Sequence, residues 1–168
     1  MAAFTSASAN KLIRVYEDEK EHILKNERGV CTYVLSTDEE EEPPEYDYDA
    51  VRKQVAALDA KVRTLRCALH AFNVATVLPE SGISIDEALV LLAQLSSECY
   101  RLSMMRSMLP KKRLKADYIR GSKVVEYEYA NFDIARAEAD YQAVYERIRQ
   151  LQMEIDYANQ TVQFEVDL

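Results

Sequence analysis

The feature that most constrains this chain is an alternation of apolar residues at steps of four and three. Val51, Val55, Leu58, Val62, Leu65, Leu69 and Phe72 hold that register without a break. Ile85, Ala88, Leu92, Leu95, Cys99, Leu102 and Leu109 follow it with an interruption at Arg106, and Ile134, Ala137, Tyr141, Val144, Ile148, Leu151, Ile155 and Ala158 carry it again. Such positions share a face only on an α-helix, and an apolar stripe of that kind must be covered by another apolar surface. Three stripes in one chain predict long helices packed at shallow angles. A first segment is weaker: Leu12, Tyr16 and Ile23 share a face, but Glu19 or Lys20 stands where another apolar residue is due. It is expected to be a helix on the edge of the bundle.

Breakers are few. Three Gly and four Pro in 168 residues are too sparse for a turn-rich sandwich or barrel, so an all-β fold is excluded. Gly29, Pro43-Pro44, Pro79 with Gly82, Pro110 and Gly121 divide the chain. Ser84 and Glu87 have the spacing of a capping box at the third helix. The first, second and fourth helices each run through an Asn (Asn26, Asn73, Asn159) into a β-branched stretch, which reads as a helix end followed by a short strand. Asn73, Thr76, Ser84, Glu87, Asn159 and Thr161 are thus the expected helix-end caps. A further stretch, 123–129, alternates Val125, Tyr127 and Tyr129 against Val124, Glu126 and Glu128, as a half-buried strand does. The expected fold is mainly α with a small β component (α+β): one elongated domain, 1–168, of long antiparallel coiled-coil-like helices with a short accessory sheet at one end. Helices are expected at about 5–27, 47–73, 84–109 and 131–159, and strands at about 30–35, 74–78, 123–129 and 161–166. An acidic loop, 36–49, and a basic connector, 110–123, join them.

The run Asn73-Val-Ala-Thr76, then Gly82, then Ile83-Ser-Ile-Asp-Glu-Ala-Leu89, resembles the middle of the septicolysin-like family of small bacterial proteins. The ending Ile155-Asp-Tyr-Ala-Asn159-Gln160-Thr161 resembles that family's closing element, with Gln160 in place of a Trp. The acidic insertion after Leu35 is a second departure. The resemblance spans roughly 51–161 and implies a helical fold. It carries over Asn73, Thr76, Asn159 and Thr161, none of them a catalytic group, and the family's name is no ground for a lytic activity.

Candidate chemistry is sparse. Glu19 and His22 form one Glu-x-x-His unit, but a di-metal bundle site needs two, and His70 has no Glu three residues before it. Cys67 and His70 have half of a zinc spacing without a second pair; Cys67 is expected beside the Leu65/Leu69 stripe. There is no nucleophile elbow and no glycine-rich phosphate loop, so no enzyme, cofactor or metal is expected. Three widely spaced cysteines without a Cys-x-x-Cys pair fit reduced thiols. No run reaches the roughly 18 apolar residues of a membrane span, and the first ten residues lack a basic region. The expected location is cytoplasmic, with no membrane partner.

The net charge of -8 is unevenly spread. Asp38 to Asp49 holds eight acids and no base, and the remaining 21 acids equal the 21 bases. Arg101 to Lys123 sets eight bases against Asp117 alone. Self-association, or docking of another protein, is the leading expectation, since Phe72, Tyr141, Tyr145 and the Met104/Met105/Met108 cluster offer more apolar surface than a narrow bundle hides. The alternative is a phosphate-bearing ligand or nucleic acid held by Lys111, Lys112, Arg113, Lys115 and Arg120.

Overall fold

The computed structural model describes residues 1–37, 42–114 and 125–168. Among these residues four helices dominate, α1 (Ser6–Val30), α2 (Tyr48–Ala75), α3 (Ile85–Arg106) and α4 (Ile134–Thr161). Four short strands accompany them, β1 (Ala2–Thr5), β2 (Lys111–Arg113), β3 (Tyr127–Tyr129) and β4 (Gln163–Val166). The fold is therefore mainly α with a small antiparallel β component, as the sequence predicts. The contacts divide the chain into two compact units, Met1–Val77 with Asp156–Leu168, and Leu78–Ile155.

In the first unit α1 and α2 lie antiparallel. Three polar pairs give the direction, because position falls along α1 as it rises along α2. Tyr46, just ahead of α2, reaches Glu27; Asp59 reaches Lys20; and Arg66 reaches Glu17. The predicted α2 stripe is the face that is covered: Leu58, Leu65 and Phe72 are buried and the residues between them half-buried. Leu65 meets Ala9, Ile13 and Val166 in one cluster, with Phe4, Leu12, Tyr16, Val62, Ala68 and Phe164 packed around it. β1 and β4 pair antiparallel, Ala2 opposite Val166 and Thr5 opposite Gln163. A two-stranded sheet is marginal by itself. This one is anchored by buried Val166 and by Phe164, whose ring stacks on Phe72 at 4.8 Å.

In the second unit α3 and α4 are also antiparallel. Arg106, at the end of α3, reaches Glu138 near the start of α4, while Ser81, ahead of α3, reaches Glu154 far along α4. Ile85, Ala88 and Leu102 of α3 and Ala137, Leu151 and Ile155 of α4 are buried, again the predicted stripes. β2 and β3 form a separate antiparallel ribbon, Lys111 opposite Tyr129 and Arg113 opposite Tyr127. Among the described residues the short sheets are thus two, each of two strands, where the sequence suggests one.

Several boundaries differ from expectation. The strand expected at 30–35 does not form: α1 runs to Val30, and 32–36 have no regular structure and lie exposed. β propensity measures fit to a neighbouring strand, and among the described residues none pairs with this stretch. The stretch 74–78 begins as the last turn of α2, which ends at Ala75 with Thr76 as its cap. Beyond it, Gly82 N–H donates to Leu78 C=O at 2.9 Å and Leu78 N–H to Ile83 C=O at 2.8 Å, so the chain turns back instead of extending. Gly82 has φ of 68°, a left-handed conformation that favours glycine. The strand expected at 123–129 is β3, beginning at Tyr127, and the one expected at 161–166 is β4, beginning at Gln163 because Thr161 still belongs to α4. β1 and β2 are additional to the expected strands.

Asn26, Asn73 and Asn159 do not end helices. Each lies inside one, Asn26 with its amide 3.1 Å from His22 Nε2 and Asn73 with a buried Oδ1 that has no partner. Thr76 is a helix cap as expected, its N–H donating to Phe72 C=O. Ser84 Oγ accepts from Glu87 N–H at 3.1 Å, half of the expected capping box; the other helices are capped at their N-termini by Thr5 on α1, Asp47 on α2 and Asp133 on α4. Thr161 Oγ donates within its own helix, to Tyr157 C=O.

Candidate functional site

Two exposed features of the second unit stand out, and each follows from local pattern. The first is α3. Its buried and half-buried apolar residues recur at steps of three and four, yet a second series on another face, Leu89, Ala93, Tyr100 and Met104, spaced by four, seven and four, faces solvent. Val90 borders it. Tyr100 keeps 72% of its surface exposed and Met104 52%, although a soluble helix ordinarily carries charge there. Ser96 and Ser97 sit midway along the series, Ser96 Oγ turned back onto Leu92 C=O at 2.7 Å.

The second is the β2–β3 ribbon. Successive strand residues point to opposite faces, so the pairing sorts its charges. One face carries Lys112 and Glu128, which form an ion pair at 3.9 Å. The other carries Lys111, Arg113, Tyr127 and Tyr129 and, among the described residues of the two strands, no carboxylate. Lys111 Nζ lies 4.1 Å from the centre of the Tyr127 ring and 5.3 Å from that of Tyr129, a cation–π contact to both. The two rings are 6.4 Å apart and inclined by 51°. Of the five bases expected to hold an anion, Lys111, Lys112 and Arg113 are therefore brought together on one strand, with Lys112 on the face away from the other two. Lys115 and Arg120 lie outside the described residues. Behind the ribbon a cleft of about 440 Å³ is lined by Met108, Leu109, Lys112, Glu128 and Phe132 among others.

Other expected features take different roles. Phe72 is buried against Phe164 and adds nothing to the exposed surface. Tyr141 is half covered by the Arg106 guanidinium, 3.8 Å above its ring, and stacks on Tyr145 at 6.1 Å. Arg106 also donates to both carboxylate oxygens of Glu138 at 3.1 Å; the bond from Gln142 first, and then those from Arg106, hold the Glu138 carboxyl below its ordinary value. Cys67 is exposed, on the outer side of α2 instead of beside the Leu65/Leu69 stripe. Cys31 is exposed and Cys99 half-buried, and all three thiols are free. Among the described residues no three His, Cys, Asp or Glu side chains converge as a metal site requires. Among them, too, no helix is long and apolar enough to cross a membrane.

One polar cluster escapes sequence reasoning. Glu154, 8% exposed, accepts from Ser81 N–H at 3.0 Å and from Ser81 Oγ at 2.5 Å, and Arg147 donates to that hydroxyl at 3.3 Å. Burial raises the Glu154 pKa, but the bonds from Ser81 and from the Glu80 amide, with the nearby Arg147 charge, outweigh it and leave the carboxyl below its ordinary value. A Ser beside a carboxylate can suggest nucleophilic chemistry. This carboxylate is already saturated with donors and is a poor base, so the cluster acts as a clamp on the turn at Gly82. Nothing in the sequence links positions 66 to 73 residues apart.

No protein-family model and no curated protein matches this chain. Among solved structures it is similar to a functionally unknown conserved protein from Corynebacterium diphtheriae, at 16% identity and a TM-score of 0.62, over 98% of this chain and 100% of that one, a likeness that extends to the fold alone.

Proposed function

We propose that this protein works by protein–protein association, in the first place with a second copy of itself, and not by catalysis. The observation that carries the reading is the exposed apolar series on α3, Leu89, Ala93, Tyr100 and Met104. A two-fold interface must be self-complementary: if one position faces another, the reverse holds as well. An antiparallel pairing of two α3 helices centred between Ser96 and Ser97 meets that condition. It sets Tyr100 opposite Ala93 and Leu89 opposite Met104, so that a large ring faces a small residue and a branched side chain faces a flexible one. The small serines at the centre let the backbones approach.

Exposed free thiols at Cys31 and Cys67 favour a reducing, cytoplasmic location for this activity. Kinship with the septicolysin-like family enters the proposal only as far as a helical fold. Sedimentation equilibrium on the purified chain tests the reading. A dimer is expected at tens of micromolar, and Tyr100→Glu or Met104→Glu is expected to return it to monomer with unchanged helicity. A wild-type chain that stays monomeric at that concentration overturns it.

A further inference from the structure

From the β2–β3 ribbon we infer that the protein binds single-stranded nucleic acid on the face formed by Lys111, Arg113, Tyr127 and Tyr129. Such surfaces combine two elements, cations that take the phosphates and aromatic rings that take the bases. Both are present on one face of one ribbon, placed there by the pairing of Lys111 with Tyr129 and Arg113 with Tyr127. The strand alternation does the selecting. It removes Glu128 to the opposite face, where Lys112 pairs with it, and leaves two positive charges with no carboxylate among the described strand residues of that face.

The rings stay accessible, Tyr127 at 43% and Tyr129 at 62%. Lys111 Nζ lies over both rings in cation–π contact, so charge and aromatic surface meet at one place, and a base that stacks there displaces the ammonium towards its own phosphate. Ladder bonds continue beyond the three pairs, from Leu114 N–H to Glu126 C=O at 3.0 Å and from Ala130 N–H to Pro110 C=O at 3.2 Å, which stiffens the platform.

The exposed rings decide for an unpaired strand over other anions. A carboxylate-rich peptide gains from Lys111 and Arg113 but nothing from stacking, and duplex bases already stack on one another. The overall charge of -8 does not oppose this, because eight acids are confined to Asp38–Asp49. The attraction is local and short in range, and falls off within about a Debye length.

Fluorescence anisotropy of labelled oligouridine and oligothymidine strands of about a dozen nucleotides, titrated with the full chain at increasing salt, tests the inference. Saturable binding is expected, with a log–log salt slope near -1.4 for two phosphates, which falls by about 0.7 in Arg113→Gln. Tyr127→Ala and Tyr129→Ala should each weaken binding roughly tenfold, while Tyr127→Phe and Tyr129→Phe, which keep the stacking face and the fold of the ribbon, should leave it unchanged. Lys112→Gln, on the other face, should have little effect. Absence of binding at low salt overturns the inference. So does displacement by polyglutamate as effective as by unlabelled oligonucleotide, or affinity that survives loss of both rings. The α3 variants Tyr100→Glu and Met104→Glu lie outside the ribbon and should bind the strand as wild type does, so failure of this inference and failure of self-association are read separately.

Discussion

Ser81 and Glu154 are joined by two hydrogen bonds, the Ser81 amide donating to one carboxylate oxygen and its hydroxyl to the other. The pair ties the turn before α3 to a buried position on α4. Glu154→Gln keeps the shape but loses the charge that strengthens both bonds, and is expected to cost about 1–3 kcal/mol in urea unfolding. Ser81→Ala removes one bond and should cost about 1 kcal/mol. The pH dependence has a definite sign. A carboxyl whose folded pKa is depressed contributes stability that is fully present above its unfolded value, near 4.3, and is lost as pH falls through the folded one. Wild type should therefore lose more stability than Glu154→Gln between neutral pH and about pH 3, as read by thermal melts.

Phe72 and Phe164 hold the C-terminal strand in place. Truncating a fully buried Phe costs about 3–5 kcal/mol, and Phe164 is only partly covered, so Phe164→Ala should cost about 2–3 kcal/mol. The loss should be local in its dynamics. Amide exchange is expected to quicken in β1 and β4 and to stay unchanged in α3, because the β1–β4 ladder depends on this anchor while α3 belongs to the other unit.

What the sequence made legible follows from which physical signal each element leaves. The α2, α3 and α4 stripes appear as the buried faces because a 3–4 repeat puts its apolar residues on one side of a helix, whereas the sparser α3 series at Leu89, Ala93, Tyr100 and Met104 stays exposed. On α1 the covered residues are Ser6, Ala9 and Ile13; two of these are small, and small residues leave a faint hydropathy pattern although they pack closely. The strand expected at 30–35 does not form because β-branched residues fit a pleat only where a neighbour supplies one, and the one expected at 74–78 is cut short because α2 runs on to Ala75 and the chain turns back through Gly82. β1 was invisible since Ala2-Ala-Phe-Thr5 becomes a strand only by pairing with a segment at the far end of the chain. The basic segment was legible as charge, but not as a surface: its pairing with Tyr127–Tyr129, and the sorting of Lys112 from Lys111 and Arg113, needed the register.

Lys20 occupies a position of α1 where the apolar stripe is interrupted, and its ammonium meets Asp59 of α2 at 2.7 Å. Both side chains are partly exposed, so the pair contributes about 0.2–1 kcal/mol. Asp59→Ala should cost no more than that. Lys20→Leu placed on the Asp59→Ala background should recover the loss or exceed it, because the stripe then continues from Tyr16 to Ile23. A double-mutant cycle in urea measures the coupling, and a value well above 1 kcal/mol would show a pair shielded from solvent.

Tyr46 donates its phenolic proton to Glu27 at 2.6 Å, and that bond, followed by burial and the Glu27 charge, pushes its pKa up to about 12. The contact fastens the segment ahead of α2 onto the end of α1. Because the folded value lies above the unfolded one, near 10, the protonated form is the one the fold favours. Its contribution is complete below about pH 10 and disappears as pH rises towards 12. Tyr46→Phe should therefore be less stable than wild type at neutral pH and should approach it in strong alkali. A tyrosinate absorbance titration checks the cause directly: subtracting the Tyr46→Phe curve from the wild-type curve should leave a single late transition, and a transition near 10 would mean that the bond to Glu27 does not persist in solution.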